Sequence, residues 1–500
     1  MYPEFDSLAM KRLLSTILLL FAALHLVAQL KTEAVPLPPS PTAMALMEYV
    51  NIPVHYYSGI AAVTVPLFEL KGNRMTMSVD LSYHTSGIKV QDIAGTTGLG
   101  WNLNAGGAIT RVVRGLPTEI FCPDYERSHY RHMLFGLCDS QPDIFYFNFL
   151  GRTGRFVLDK EGNPVLMPYQ NLDISPGVGP LASSSWIITD EAGYKYYFGE
   201  SPASYEYSNA EVMEHGQYKG GDNVKRYISA WYLTRVVDPN DRAELTLQYE
   251  SGATLQYEYY ASRASKVIYQ AGSCPAARNV EHKANTRIEV ESPKYVKEIS
   301  SHQGRVSFTY STGRKDLPGG RHLTAVTLSS SGILRKYNLH YDYFRPTNSF
   351  LDPGFLPPYP DHAFAGWPEA WRLKLTRIKI DDIVYREFTY NHVYDLPPRN
   401  SVFEDHWGYF NWRDRMYPMG QSPGYWSKLP AVSYDGIAVD GAKKDFHFES
   451  AKANILTMIR YPTGGTTEFM YESSNNRGIR VARIIDREGD KLVQEKQIFY

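Results

Sequence analysis

Six stretches of this chain share one short pattern, and that pattern limits the folds open to it. Each opens with an apolar residue, most often followed by threonine, any residue and a second apolar residue. A polar turn comes next, and then a segment that ends in tyrosine. The six are LTRVVDPNDRAELTLQY (233–249), VKEISSHQGRVSFTY (296–310), LTAVTLSSSGILRKYNLHY (323–341), LTRIKIDDIVYREFTY (375–390), LTMIRYPTGGTTEFMY (456–471) and VARIIDREGDKLVQEKQIFY (481–500). A turn signature recurs with them: Asp159-x-x-Gly162, Asp190-x-x-Gly193, Ser301-x-x-Gly304, Ser329-x-x-Gly332 and Asp486-x-x-Gly489. Asp or Ser in the first position caps the backbone, and glycine in the fourth takes positive φ. Each unit is therefore expected to be a β-hairpin. A lone hairpin is barely stable in water, so successive units should stack edge to edge or face to face. Their irregular spacing argues against a propeller of equal blades and suits curled sheets or β-sandwiches in series. The expected fold class is all-β, shell-like, with irregular loops.

Composition agrees with sheet. The chain carries 38 Tyr, 22 Phe and 8 Trp, and tyrosine favours pleated, half-exposed surfaces. A net charge of −1 gives no electrostatic footprint for nucleic acid or an anionic membrane. Three cysteines, Cys122, Cys138 and Cys274, are too few and odd in number to be the scaffold.

Residues 75–119 form the most distinctive stretch. Met75, Met77, Val79, Leu81 and Tyr83 alternate with Thr76, Ser78, Asp80, Ser82 and His84, the period of a half-buried strand. Glycines at 87, 95, 98, 100, 106, 107 and 115 then surround Trp101. Such a run suits tight turns and close backbone approach under an aromatic ring. It does not suit a phosphate loop: no Gly-Lys-Ser/Thr is present, and leucine stands at 103 where the dinucleotide pattern needs glycine.

On these residues the chain resembles the N-terminal region of bacterial Rhs/YD-repeat proteins, the rearrangement-hotspot and Tc-toxin B/C-type shells. SYHTSGIKVQDIAG (82–95) and GLGWNLNAGGAITRVVRGLPTE (98–119) carry the resemblance. WYLTRVVDPN (231–240), KLTRI (374–378), LPPRNSVFEDHWGYFN (396–411) and ILTMIRYPTGGTTEFMYE (455–472) extend it over about residues 48–500. The resemblance implies a secreted, β-rich building block and no chemical activity. It makes Gly98, Gly100, Trp101, Gly106 and Gly107 a structural motif, and DHWGY a fixed turn with Asp405, Trp407 and its pivot Gly408. It also implies that a run of YD repeats enclosing a variable C-terminal effector follows where this sequence stops, at Tyr500. The partner is then the rest of a longer Rhs-type polypeptide or a partner shell subunit.

In chain order, residues 1–29 read as a secretory signal. Met10-Lys-Arg is its basic start and Leu13–Ala28 its apolar core, shorter than the ~20 residues of a spanning helix. Glu4 and Asp6 are foreign to such a start, so translation is expected to begin at Met10. Export to the extracellular space or cell surface follows. Residues 30–50, with Pro36, Pro38, Pro39 and Pro41, form a stiff leader. Beyond it we expect an N-terminal β domain over 51–200 and a hairpin region with long loops over 201–345. An aromatic- and proline-rich loop with a β segment fills 346–430, and YD-like hairpins fill 431–500.

Candidate chemistry is sparse. Cys122 and Cys138 could close a loop, a disulfide contributing roughly 3 kcal/mol. With His129 and His132 they also make a four-ligand zinc set, in a C-x6-H-x2-H-x5-C spacing unlike that of the fingers. A third reading gives the cysteines no bonded role. Gly420-Gln-Ser422-Pro-Gly424 fits the serine-hydrolase elbow, but its flanks are loop-like rather than strand and helix. Glu404, Asp405 and His406 form an acid/base cluster on paper. Asp352-Pro-Gly354 is only a partial likeness of the self-cleavage motif of Rhs cores. The reading is a non-catalytic scaffold without cofactor or metal. Its rival is a surface glycan-binding or adhesive module, since aromatic faces also stack on sugars.

Overall fold

The computed structural model describes residues 62–114, 117, 142–177, 185–214, 217–218, 226–267, 278–330, 332–345, 367–399, 401, 403–412, 432–434, 437–439, 444–475 and 478–498. Among them the chain is all-β, with one α-helical turn at Phe448–Ala451. Among the described residues no helix is long and apolar enough to cross a membrane.

The larger layer is an antiparallel meander. From Ala243–Ser251 it runs through Lys294–Ser301, Gly304–Ser311, His322–Ser330, Ile333–Phe344, Arg372–Ile380, Ile383–Tyr390, Leu456–Arg460, Gly465–Ser473, Ile479–Glu488 and Lys491–Gln497, each pairing with the next. Its root is the long strand Tyr227–Val237. The C-terminal half of that strand pairs with Lys195–Phe198 and Ala243–Ser251. Its N-terminal half pairs with Gly107–Val112 and Tyr205–Glu214. Leu255–Val267 and Arg278–Glu291 form a hairpin that leaves the meander and joins Tyr205–Glu214 instead.

The tyrosine that ends each unit has a structural cause. The ladder slips at Gln248/Tyr249, Thr309/Tyr310, His340/Tyr341, Thr389/Tyr390 and Met470/Tyr471. A bulge takes one residue out of the ladder and bends the strand. At four of the five, the tyrosine hydroxyl closes the open end of its own hairpin by donating to the carbonyl of the unit's opening leucine. Tyr249 reaches Leu233 O at 2.6 Å, Tyr341 reaches Leu323 O at 2.7 Å, and Tyr390 and Tyr471 reach Leu375 O and Leu456 O at 2.6 Å.

The threonine after that leucine acts across units. Thr324 donates to Thr309 O at 3.0 Å, Thr376 to His340 O at 2.9 Å and Thr457 to Thr389 O at 3.1 Å. Each acceptor is the residue before the previous unit's tyrosine. Thr234 makes a like bond to Tyr197 O at 2.9 Å, where the bulge residue that follows is Phe198 rather than tyrosine. Tyrosine thus closes a hairpin, and threonine clips it to the hairpin before.

The turns divide into two kinds. At Asp159 and Asp190 the carboxylate accepts the backbone N–H groups two and four residues on, and the carbonyl accepts that of Gly162 or Gly193. These glycines have φ of 86° and 83°. The other three signatures meet the expectation only in part. Ser301↔Gly304, Ser330↔Ile333 and Glu488↔Lys491 are paired positions flanking two-residue turns. Gly304 therefore lies in a strand without positive φ, although Ser301 Oγ still accepts Gln303 N. Ser329 and Asp486 sit in ladders rather than capping, although Gly332 and Gly489 take the expected positive φ, 82° and 58°.

A second layer lies over the meander. Ala62–Lys71, Thr76–His84 and Trp101–Asn104 form a three-stranded antiparallel sheet. Met77, Val79, Leu81 and Tyr83 are buried, while Thr76 and Ser78 are exposed. These side chains share one core with Leu233, Val326, Leu375, Ile378 and Leu456 of the meander. Where the two layers face each other the fold is a sandwich.

Candidate functional site

The glycine-rich segment 85–101 connects two strands of the small sheet and is wedged against the meander. Its anchor is Trp101, whose ring lies 4.5 Å from Phe388 and 5.2 Å from Tyr83, centroid to centroid. Trp101 Nε1 donates to Tyr390 Oη at 2.8 Å, and that hydroxyl donates onward to Leu375 O. The anchor is therefore joined to one of the hairpin locks. Tyr83 Oη accepts the backbone N–H of Leu456, the next unit's opening leucine, at 2.9 Å.

Two glycines here are fixed by contact. A Cβ on Gly98 would stand 3.0 Å from Leu375 N, and one on Gly100 would stand 2.6 Å from the Tyr83 ring. Both have positive φ, 101° and 77°. Gly106 and Gly107 lie beyond Trp101 and face Leu247 and Phe149.

The N-terminal half of the segment meets the turn at Asp405. Val90 N donates to Gly408 O at 2.9 Å, and Tyr409 Oη donates to Ser86 O at 2.9 Å. Gly408 has φ 90° and faces the stem of Lys89. Asp405 Oδ1 accepts Trp407 N at 2.8 Å and Tyr409 N at 2.9 Å, the same capping arrangement as at Asp159 and Asp190. Burial raises the Asp405 carboxyl above the ordinary range, with these backbone bonds opposing. Glu404 pairs with Lys444 at 3.3 Å, whereas His406 and Trp407 project outward. The paper cluster of Glu404, Asp405 and His406 is thus split between a buried ion pair, a turn cap and the surface.

The C-terminal half is held by buried charges that sequence reading missed. Arg314 and Asp316 pair at 2.7 Å. The Arg314 guanidinium also donates to Ala94 O at 2.8 Å and Gly95 O at 3.0 Å. Arg372 Nη2 donates to Val90 O at 2.8 Å. Burial works to raise the Asp316 carboxyl, but Arg314, the Leu373 amide and Arg399 together hold the group below the usual range. Burial, with the nearby Arg399 charge, brings the Arg372 guanidinium down to about 9. No local signal marks these residues, because the carbonyls they serve lie over two hundred positions away.

The arrangement positions backbone; it does not present a nucleophile beside a base and an open cleft. Among the described residues no group of three or more His, Cys, Asp or Glu could hold a metal ion. Cys122, Cys138, Cys274, His129, His132, Asp352, Ser422 and the segment 1–61 lie outside the described residues.

No family model matches the chain, and no curated protein matches it. Among solved structures, the Photorhabdus luminescens Tc holotoxin pore carrying a TccC3 point mutation is 14% identical, with a TM-score of 0.29. That match covers 66% of this chain and 16% of that one. The TcdB2–TccC3–Cdc42 complex is 10% identical with a TM-score of 0.24, covering 88% of this chain and 26% of that one. The chain spans about a quarter or less of the length of either.

Proposed function

We propose that this chain is a non-catalytic wall segment of an exported Rhs/YD-repeat shell. In this reading it works with the rest of a longer polypeptide, or with a partner shell subunit, to enclose or present a C-terminal effector. The observation that carries the reading is the serial device of the meander. Four hairpins are shut by their own tyrosine and three are clipped by threonine to the hairpin before, so hairpins add in register without a new core for each one. A bulge at every junction bends the strands, as a curving wall requires. The segment 85–101, with Gly98, Gly100, Trp101 and the Asp405–Gly408 turn, serves as the brace between layers.

The test is the size of the native species in source cells, by immunoblot with an antibody against residues 75–119. A species far larger than 56.9 kDa supports the shell. A secreted species of the mature size that works alone overturns it and favours the adhesive rival, which a glycan array would then examine.

A further inference from the structure

One tyrosine of the series breaks the rule. Tyr249, Tyr341, Tyr390 and Tyr471 each donate to a leucine carbonyl. Tyr310 sits at the same bulge position, yet among the described residues its hydroxyl has no hydrogen-bond partner. It lines a cavity of about 50 Å³, together with Lys294, Tyr249, Tyr232, Asn102 and Thr96. Lys294 is only 5% exposed. Its ammonium carries three donors, and its one bond is to Ser251 Oγ at 2.8 Å.

We propose that this cavity binds a small free monocarboxylate of two or three carbons. Lys294 supplies an under-used ammonium and Tyr310 a phenol with no partner in the fold, beside the polar side chains of Asn102 and Thr96. Tyr249 and Tyr232 have their hydroxyls engaged elsewhere, with Leu233 O and the Glu206 carboxylate, so they contribute ring faces to the wall. Lys294 disfavours a cation even with the Glu206 carboxylate acting on its ammonium, and a sugar is too large for the space. At roughly 10–15 Å³ for each water-sized group, the space holds about four such groups, the size of acetate. Burial lowers the Lys294 ammonium and raises the Tyr310 hydroxyl. A bound anion would restore the first, and the second stays protonated as a donor.

The experiment is saturation-transfer NMR on the purified chain with acetate and propionate. Thermal midpoints in acetate and in chloride at matched ionic strength accompany it. The expected result is transfer to the acetate methyl and a midpoint higher in acetate than in chloride. Tyr310→Phe should weaken acetate binding about tenfold, as loss of one hydrogen bond to a charged group implies. Lys294→Met should abolish it. Because Tyr310 has no bond to lose within the fold, Tyr310→Phe decides the matter if Lys294→Met does not fold. Absence of transfer, binding unchanged in Tyr310→Phe, or equal stabilisation by chloride overturns the proposal.

Discussion

Replacing Tyr390 by Phe tests the hairpin lock where it carries most. The Tyr390 hydroxyl donates to Leu375 O at 2.6 Å and accepts Trp101 Nε1 at 2.8 Å. Burial holds it well above the usual tyrosine range, so it remains a donor at any working pH. In Tyr249, Tyr341 and Tyr471 the hydroxyl makes the carbonyl bond alone, and losing one neutral hydrogen bond costs about 1 kcal/mol. Tyr390→Phe also strands the indole N–H of Trp101, which is 1% exposed, and an orphaned buried donor costs about 1–3 kcal/mol. The expected order is Tyr310→Phe near zero, the three single locks at about 1 kcal/mol, and Tyr390→Phe at about 2–4 kcal/mol. Urea unfolding followed by far-ultraviolet circular dichroism gives the comparison as midpoint shifts at constant slope, without a two-state assumption for so long a chain. If Tyr390→Phe costs no more than Tyr341→Phe, or if Tyr310→Phe costs as much as either, the lock is not what the tyrosine provides.

Three further outcomes follow from the same geometry. Thr457→Val and Thr376→Val keep shape and lose the bond to the preceding hairpin, so each should cost about 1 kcal/mol in the same urea assay; no cost would remove the clip. Gly162→Ala meets no atom within 4 Å and should show only the left-handed backbone penalty of about 1–2 kcal/mol. Gly87→Ala shares that penalty and adds overlap, its Cβ falling 2.5 Å from Ile479 Cδ1, so it should cost about 1–3 kcal/mol more; equal midpoints would refute the close-approach argument. His84 is held neutral mainly by burial and then by the Lys89 charge, which bring it from 6.5 down to about 4. The unfolded chain therefore takes up the proton first as pH falls. The His84 contribution is complete above about 6.5 and is lost between there and about 4. Burial raises the Asp405 carboxyl, whose titration acts on stability with the opposite sign, so the readout is the difference between wild type and His84→Gln across that window. A flat difference would show that His84 is not desolvated.

What could be read from the sequence was local, and what could not be read was remote. Hairpins follow from alternation and turn chemistry within about twenty residues, and six stretches announce them. The Asp159 and Asp190 turns are as local as their signature. The Asp238 turn uses the same capping, with Asn240 N and Arg242 N on its carboxylate. A search for glycine overlooks it, because Asp241 takes the left-handed position at φ 57°. The excursion over about 251–292 reads in the sequence as a long polar loop, yet it holds the paired strands Leu255–Val267 and Arg278–Glu291, because partners across it are chosen by the core rather than by neighbours. Arg314 and Asp316 stand only two positions apart, but the carbonyls of Ala94 and Gly95 that Arg314 serves are remote, and nothing local marks the pair. Trp101 was recognisable as an anchor from its glycine surroundings, but its tie to Tyr390 was not.

That tie gives the glycine-rich segment a different meaning from looseness. A run of glycines between two strands is open to reading as a hinge. Here Gly98 lies against the backbone of Leu375, whose carbonyl accepts the lock, and Gly100 lies under Tyr83, which holds the N–H of Leu456. Both leucines open repeat units. The segment therefore bears on consecutive hairpins at the residue where each is closed, directly at Leu375 and through Tyr83 at Leu456, and its glycine contacts exclude a side chain. Arg314, Arg372 and the Asp405 turn fix its remaining carbonyls and amides. Glycine is needed there for proximity, and its conformational freedom is removed by contacts on both sides. It follows that damage to the brace and damage to the locks are coupled. Gly98→Ala combined with Tyr390→Phe should cost less than the sum of the two, because each already separates the same pair of layers at Leu375.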